Sequence, residues 1–269
     1  VFLTVESQIQ LGMKPQWHPY LFIIFFATLF EYNLHRLITV LTNRDALNSE
    51  KHRWVKENLK RFYLIVFISV TGFIAVIFMA KKEVLITFAP IVLLTMLYSI
   101  PVTVSKKKLF RLREIPYLKI FLIATVWSTS TILLPIVQSE NSFSIAHVAV
   151  MLVERFLFIF AITIPFDIRD LEADRQANLK TIPMLLNSQK ALSLSYFSLL
   201  AFFLISFFHY QKPNEGFLIW AFGISAASTF LFLWSVKFRK MNYYHYGILD
   251  GTSLLQGLLV LVFYYFTCN

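Results

Sequence analysis

Charge is scarce in this chain. Only 15% of its 269 residues are Asp, Glu, Lys or Arg, while 57% are hydrophobic and 17% aromatic. The apolar residues come in long blocks rather than in the alternation of a water-facing fold, which excludes an ordinary soluble domain. Cysteine is nearly missing: the single Cys268 leaves no disulfide framework and no thiolate metal site. The six histidines show neither a zinc-protease spacing nor a tight cluster along the sequence. Nothing marks off a separate soluble domain, so residues 1–269 read as a single transmembrane domain, an all-α bundle.

Apolar runs of about 20 residues, the length needed to cross a bilayer, fall near 18–41, 61–80, 83–102, 116–138, 144–166, 190–210, 216–236 and 246–266. A shorter apolar opening, Val1 to Leu11, has no initiator methionine and no basic leader. It reads as the remainder of a first helix whose start is truncated, rather than as a signal peptide, and brings the expected count to nine.

Basic residues sort by connection. The link after 18–41 holds Arg44, Lys51, Arg53, Lys56, Lys60 and Arg61, and that after 83–102 holds Lys106, Lys107, Lys108, Arg111, Arg113 and Lys119. The link after 144–166 holds Arg169, Arg175, Lys180 and Lys190, and that after 216–236 holds Lys237, Arg239 and Lys240. The alternate connections contain only Lys14, Lys81, Lys82 and Lys212. Because basic loops stay inside, the expected topology has the amino terminus in and the carboxyl terminus out, in a bacterial inner membrane. The net charge of +10 follows from those loops facing anionic lipid and requires no nucleic-acid partner. The first three of the basic links are also long, which leads to the expectation that the active face is cytoplasmic. Within the first of them, Asn48 to Glu57 reads either as a short amphipathic helix with Trp54 at the lipid boundary or as a solvated connector.

Directly after the run 144–166 comes Asp167-Ile168-Arg169-Asp170-Leu171-Glu172-Ala173-Asp174-Arg175. Asp167, Asp170 and Asp174 stand at i, i+3 and i+7, so a continuing helix would direct all three from one face. Three oxygen ligands on one face suit Mg²⁺ carried with a phosphate-bearing substrate; the alternative is a solvated acidic loop balanced by its own arginines. Other charged groups interrupt the apolar runs. Glu31 and His35 are spaced as an internal helix pair or as ligands. Glu154 is expected to snorkel to the outer interface. Asp250 either borders a cavity mouth or answers a helix dipole.

The Asp167 to Arg175 stretch, followed by Lys180-Thr181-Ile182-Pro183, resembles the second aspartate-rich motif of the UbiA-type intramembrane prenyltransferases. Tyr98-Ser99-Ile100-Pro101 and the basic run after it are similar to that family's Tyr-Ser-x-Pro helix end and lysine and arginine loop, and Trp127 falls where the family often has tryptophan. The resemblance implies a helical bundle with a central cavity open to lipid, in which Mg²⁺ on aspartates holds a polyprenyl diphosphate while a lipophilic or aromatic acceptor attacks the allylic carbon. It assigns Asp167, Asp170 and Asp174 to metal and catalysis and puts Tyr98 near the reacting end. Asn33, Arg36, Lys106, Arg111, Arg175, Lys180 and Asp250 fall around the substrate. The first aspartate motif departs from the family pattern: Asn33 is kept, but both aspartate positions read leucine, Leu37 and Leu41, with Asp45 four residues beyond. The function implied is prenyl transfer to an aromatic, quinone-precursor or glycerol-phosphate acceptor. The alternatives are a terpene cyclase of the same superfamily and a non-catalytic isoprenoid-lipid binder.

Overall fold

A computed structural model describes all residues except 43–49, 100–101, 104–108, 111, 140, 177–178 and 269. Among the described residues, eight helices are long and apolar enough to cross a membrane. They bear out the all-helical membrane fold, with a ninth, shorter helix at the start of the chain. The chain divides into two compact units.

The first unit holds Val1 and Trp17–Ile86. Its framework is α2 (Pro19–Thr42) packed along α4 (Leu59–Ile77), with α3 (Glu50–Glu57) between them in sequence. α2 and α4 approach closely at Gly72, where an added Cβ would lie 2.5 Å from the end of the Phe26 ring. The amphipathic helix read at 48–57 forms over its last eight residues. Val55 is buried with Val40 and Phe62, Trp54 is exposed and meets Phe62 edge-on, and the Asn58 side chain closes the helix on the Trp54 carbonyl. Helix α5 (Lys82–Ser99) begins in this unit and continues into the next.

The second unit comprises Phe2–Gln16 and Thr87–Asn269. It contains α1 (Phe2–Gln10), α6 (Leu118–Gln138), α7 (Ile145–Arg169), α8 (Leu171–Gln176), α9 (Ile182–Leu186), α10 (Ser188–His209), α11 (Gly216–Trp234), α12 (Val236–Arg239) and α13 (Asp250–Cys268). A two-residue antiparallel pair, β1 (Val102–Thr103) with β2 (Leu109–Phe110), lies between α5 and α6. The long helices close a ring: α6 packs on α7, α7 on α10, α10 on α11, α11 on α13, α13 on α1 and α1 on α6. Small residues let the backbones approach, as they do where lipid supplies no hydrophobic drive between helices. At Gly257 of α13 a Cβ would fall 2.7 Å from the backbone of Phe2 in α1.

Two of the boundaries that differ from the sequence reading have local causes that bear on the site. The span expected to stop at 166 runs on to Arg169, so Asp167 is helical and buried. Pro165 inside that helix has no N–H to give the Ala161 carbonyl, and the Ser195 hydroxyl of α10 donates to that carbonyl instead. The final span is entered through a π-helical turn, Tyr244–Leu249, in which the Ile248 N–H reaches the Tyr243 carbonyl at 3.2 Å. Such turns swell a helix by a residue and recur where side chains must be re-aimed.

Candidate active site at the end of helix α7

The acidic motif does not form one continuous helix. Asp170 caps α7, its N–H 2.9 Å from the Phe166 carbonyl, and α8 starts anew at Leu171. The Asp174 N–H donates to the Asp170 carbonyl at 2.8 Å, and the Leu179 N–H to the Asp174 carbonyl at 2.9 Å, so the chain folds back over its own acidic residues.

This turn divides the three carboxylates. Asp167 and Asp174, both buried, converge on Lys119, whose ammonium lies 2.8 Å from Oδ1 of Asp167 and 3.0 Å from Oδ2 of Asp174. Asp170 turns to Arg169 and takes its guanidinium in a two-pronged pair, at 2.7 Å from Nε and 2.9 Å from Nη2. The arrangement expected of a single helical face therefore holds for two of the three. Lys119 stands in the first turn of α6 and Asp167 in the last turn of α7, each of the sign its own helix dipole disfavours. The ion pair offsets both.

The backbone fixes Lys119 from two directions. Tyr117, just before α6, adopts a left-handed φ of 65°, and its N–H donates to the Lys180 carbonyl at 2.8 Å. The Lys180-Thr181-Ile182-Pro183 segment is thereby tied to the start of the helix that carries the lysine. Tyr98 is half-buried and among the electrostatic neighbours of Lys119.

A second layer surrounds Arg169. Its guanidinium stacks 5.1 Å from the Phe166 ring and 5.0 Å from the Tyr246 ring, with Asp250 among its electrostatic neighbours. His245 meets Phe166 at 5.5 Å between centroids. The π-turn thus delivers His245 and Tyr246 to the end of α7. Asp250 is exposed at the first position of α13, the helix start at which it was read.

Arg175 is exposed and reaches Glu172 at 3.4 Å, and the Lys180 side chain is exposed. Asn33 and Arg36 belong to the first unit: Asn33 is buried and donates to its own Leu29 carbonyl at 2.7 Å, and Arg36 is half-buried. Leu37 is buried and Leu41 exposed. Lys106, Arg111, Asp45 and the side chain of His35 lie outside the described residues.

Lys119, Arg169, His245 and Tyr246 were absent from the sequence-based site. Lys119 left a signal nonetheless, a cation just inside the start of the apolar run at 116–138, which is costly there without a partner. The reading of Glu154 requires correction. It does not snorkel: it is 1% exposed and bonded to His209 and Tyr210, because partners far along the chain satisfy it inside the bundle.

For a divalent ion the donor chemistry is suitable, since all the motif's donors are hard carboxylate oxygens and Oδ2 of Asp167 is buried with no hydrogen-bond partner. Among the described residues, no three His, Cys, Asp or Glu side chains are gathered into a cage. The cation between Asp167 and Asp174 is the lysine.

A model of the UbiA prenyltransferase family matches residues 42–243. No curated protein and no solved structure matches the chain.

Proposed function

The chain belongs to the UbiA prenyltransferase family, and we propose that it transfers a prenyl group from a polyprenyl diphosphate to a lipophilic or aromatic acceptor within the membrane. The observation that carries this reading is Lys119 held between Asp167 and Asp174 at the end of an apolar helix. A diphosphate with a hydrocarbon tail needs this combination of cation, metal-binding oxygens and adjoining apolar bundle.

The carboxylates of Asp167, Asp170 and Asp174 would hold Mg²⁺, which when bound neutralises charge on the departing diphosphate. Lys119 keeps the two buried carboxylates from repelling each other and offers N–H donors to phosphate oxygens. Arg175 and Lys180, exposed on the same loop, add charge that attracts the anion. Tyr98, beside Lys119, presents an aromatic face toward positive charge developing at the allylic carbon. The Arg169 and Asp170 pair, clamped by Phe166 and Tyr246, holds the turn on which the motif depends.

A second reading, a binder of isoprenoid lipid without turnover, is favoured by Leu37, which is buried at the place where the family has an aspartate. One experiment separates the two. Purified protein in lipid is incubated with labelled prenyl diphosphates of several lengths, phenolic, quinone-precursor and glycerol-phosphate acceptors, and Mg²⁺. A prenylated acceptor with released diphosphate, abolished in Asp174→Asn, is the expected result. A cyclised hydrocarbon would indicate a cyclase, and saturable binding without diphosphate release would favour the binder.

A further inference from the structure

About 30 Å along α7 from Asp167, at 1.5 Å per residue, two imidazoles meet that the prenyl-transfer reading does not use. His147, near the start of α7, has its Nδ1 2.8 Å from Nε2 of His209, the last residue of α10. The His147 ring is half-buried, and the His209 side chain is 10% exposed.

Each ring is held by its other nitrogen. His147 Nε2 lies 3.1 Å from the Gln10 carbonyl at the end of α1, and His209 Nδ1 lies 2.9 Å from Glu154 Oε1. Glu154 is fixed in turn, because its Oε2 accepts from the Tyr210 hydroxyl at 3.0 Å and that hydroxyl accepts from the Gln10 amide at 2.7 Å. A carbonyl and a carboxylate both draw an N–H outward, which turns the inner nitrogens of the two rings toward each other. Metal-ligating histidines are held in this way, with the outer N–H on a carbonyl or carboxylate and the inner nitrogen offered to the ion.

The spacing is close to what one ion needs. Two nitrogens bound to a tetrahedral ion at 2.0 to 2.1 Å lie about 3.3 Å apart, so the 2.8 Å contact would widen by about 0.5 Å. The ring centroids are 4.7 Å apart with the planes at 60°. That is less than the contact plus the two ring radii, so the rings do not meet head-on, and an ion shared between them sits beside the line joining the nitrogens.

The surrounding charge fits a divalent cation. Glu154 stands behind His209. Glu215, in the turn after α10, is among the electrostatic neighbours of His147, and its Oε2 is buried without a hydrogen-bond partner. Lys212 of the same turn is exposed, and Arg155 and Glu6 pair at 2.7 Å and cancel.

We propose that His147 and His209 together bind one divalent transition-metal ion of the kind that imidazole prefers, Zn²⁺ or Cu²⁺, and that this ion fastens α7 to α10. Two protein ligands make an open site, with water completing the coordination and Glu215 answering the charge, rather than a three-residue cage. Mg²⁺, which takes oxygen ligands, belongs to the acidic turn at the far end of the helix.

The test uses tag-free protein in lipid nanodiscs, stripped of metal with a chelator. Titration with Zn²⁺ should show one ion bound per chain and a raised melting temperature, and Mg²⁺ should produce neither. His147→Gln and His209→Gln should each lose this response, and Glu154→Gln should weaken Zn²⁺ affinity about 10- to 100-fold. Asp174→Asn should leave it unchanged. Cu²⁺ bound to the parent should show electron paramagnetic resonance splitting from two ring nitrogens, reduced to one in either histidine variant. No Zn²⁺ bound, Zn²⁺ bound equally by the parent and the histidine variants, or a Cu²⁺ spectrum without two nitrogens would each overturn the proposal. If the histidine variants fail to fold, the spectrum of the parent decides it.

Discussion

Arg155 is 2% exposed, donates to the Leu3 carbonyl, Ser7 and Gln10, and pairs with Glu6, whose Oε1 also accepts from Gln256. A buried pair of this kind is strongly destabilising to break and nearly neutral to replace entirely. Arg155→Met alone should therefore cost about 3 to 5 kcal/mol, read as a fall in melting temperature, and the double change with Glu6→Leu should recover much of it. At the other end of α7, Lys119→Gln removes the cation between Asp167 and Asp174. Two buried carboxylates then face each other and favour a divalent ion. Thermal stabilisation by Mg²⁺ alone should appear in that variant, whereas the parent should need a diphosphate as well; equal responses would separate the acidic motif from metal binding. The aspartates of this site were legible as single residues because carboxylates ending an apolar run call for a cation. Their true counterion was not, since nothing local relates Lys119 to residues 48 and 55 positions away. Glu154 failed in the same way, its partner His209 lying 55 residues on.

Helix α7 is the element on which both ends of the second unit depend, with Asp167 in its last turn and His147 near its first. Its length was readable from hydropathy alone, because some 20 apolar residues have few other stable solutions. The break at Asp170 was not, because helical spacing continues through Asp174 and no proline or glycine marks the place. Pro165 makes the last turns rely on neighbours. Ser195→Ala would leave the buried Ala161 carbonyl without its donor, at a cost of about 1 to 3 kcal/mol. Where helices touch through glycine the outcome depends on what faces it. At Gly72 the obstacle is the far end of the Phe26 ring, which can rotate, but at Gly257 it is the main chain of α1. Gly257→Ala should lower the melting temperature more than Gly72→Ala, and the loss should extend to α1 in hydrogen exchange.

At the scale of the whole molecule the exposed side chains are those of a protein solvated by lipid: Phe67, Phe78, Phe197, Phe208, Trp220 and Phe266 all point outward. Such residues cannot remain in water as a contiguous surface, and this is why the class of fold was legible from composition before any motif. The ring order of the helices was not legible, because apolar spans of similar length carry little record of which neighbour each will meet. Two independent counts lead to an expected orientation across the membrane. Between Ser105 and the carboxyl terminus, five of the described helices are long and apolar enough to cross: Leu118–Gln138, Ile145–Arg169, Ser188–His209, Gly216–Trp234 and Tyr244–Thr267. An odd number of crossings puts the two points on opposite sides, whatever the first helix does. From the lysines and arginines of 106–113 we expect Ser105 inside, together with Lys180 and the acidic turn, from which two such helices separate it. A reporter inserted at Ser105 should be cytoplasmic and one fused after Asn269 should be external. Signals on the same side would remove one of the five crossings. The reverse result, with Ser105 outside, would keep the helices but put the proposed diphosphate site on the face away from the cytoplasm, which would count against the proposed reaction.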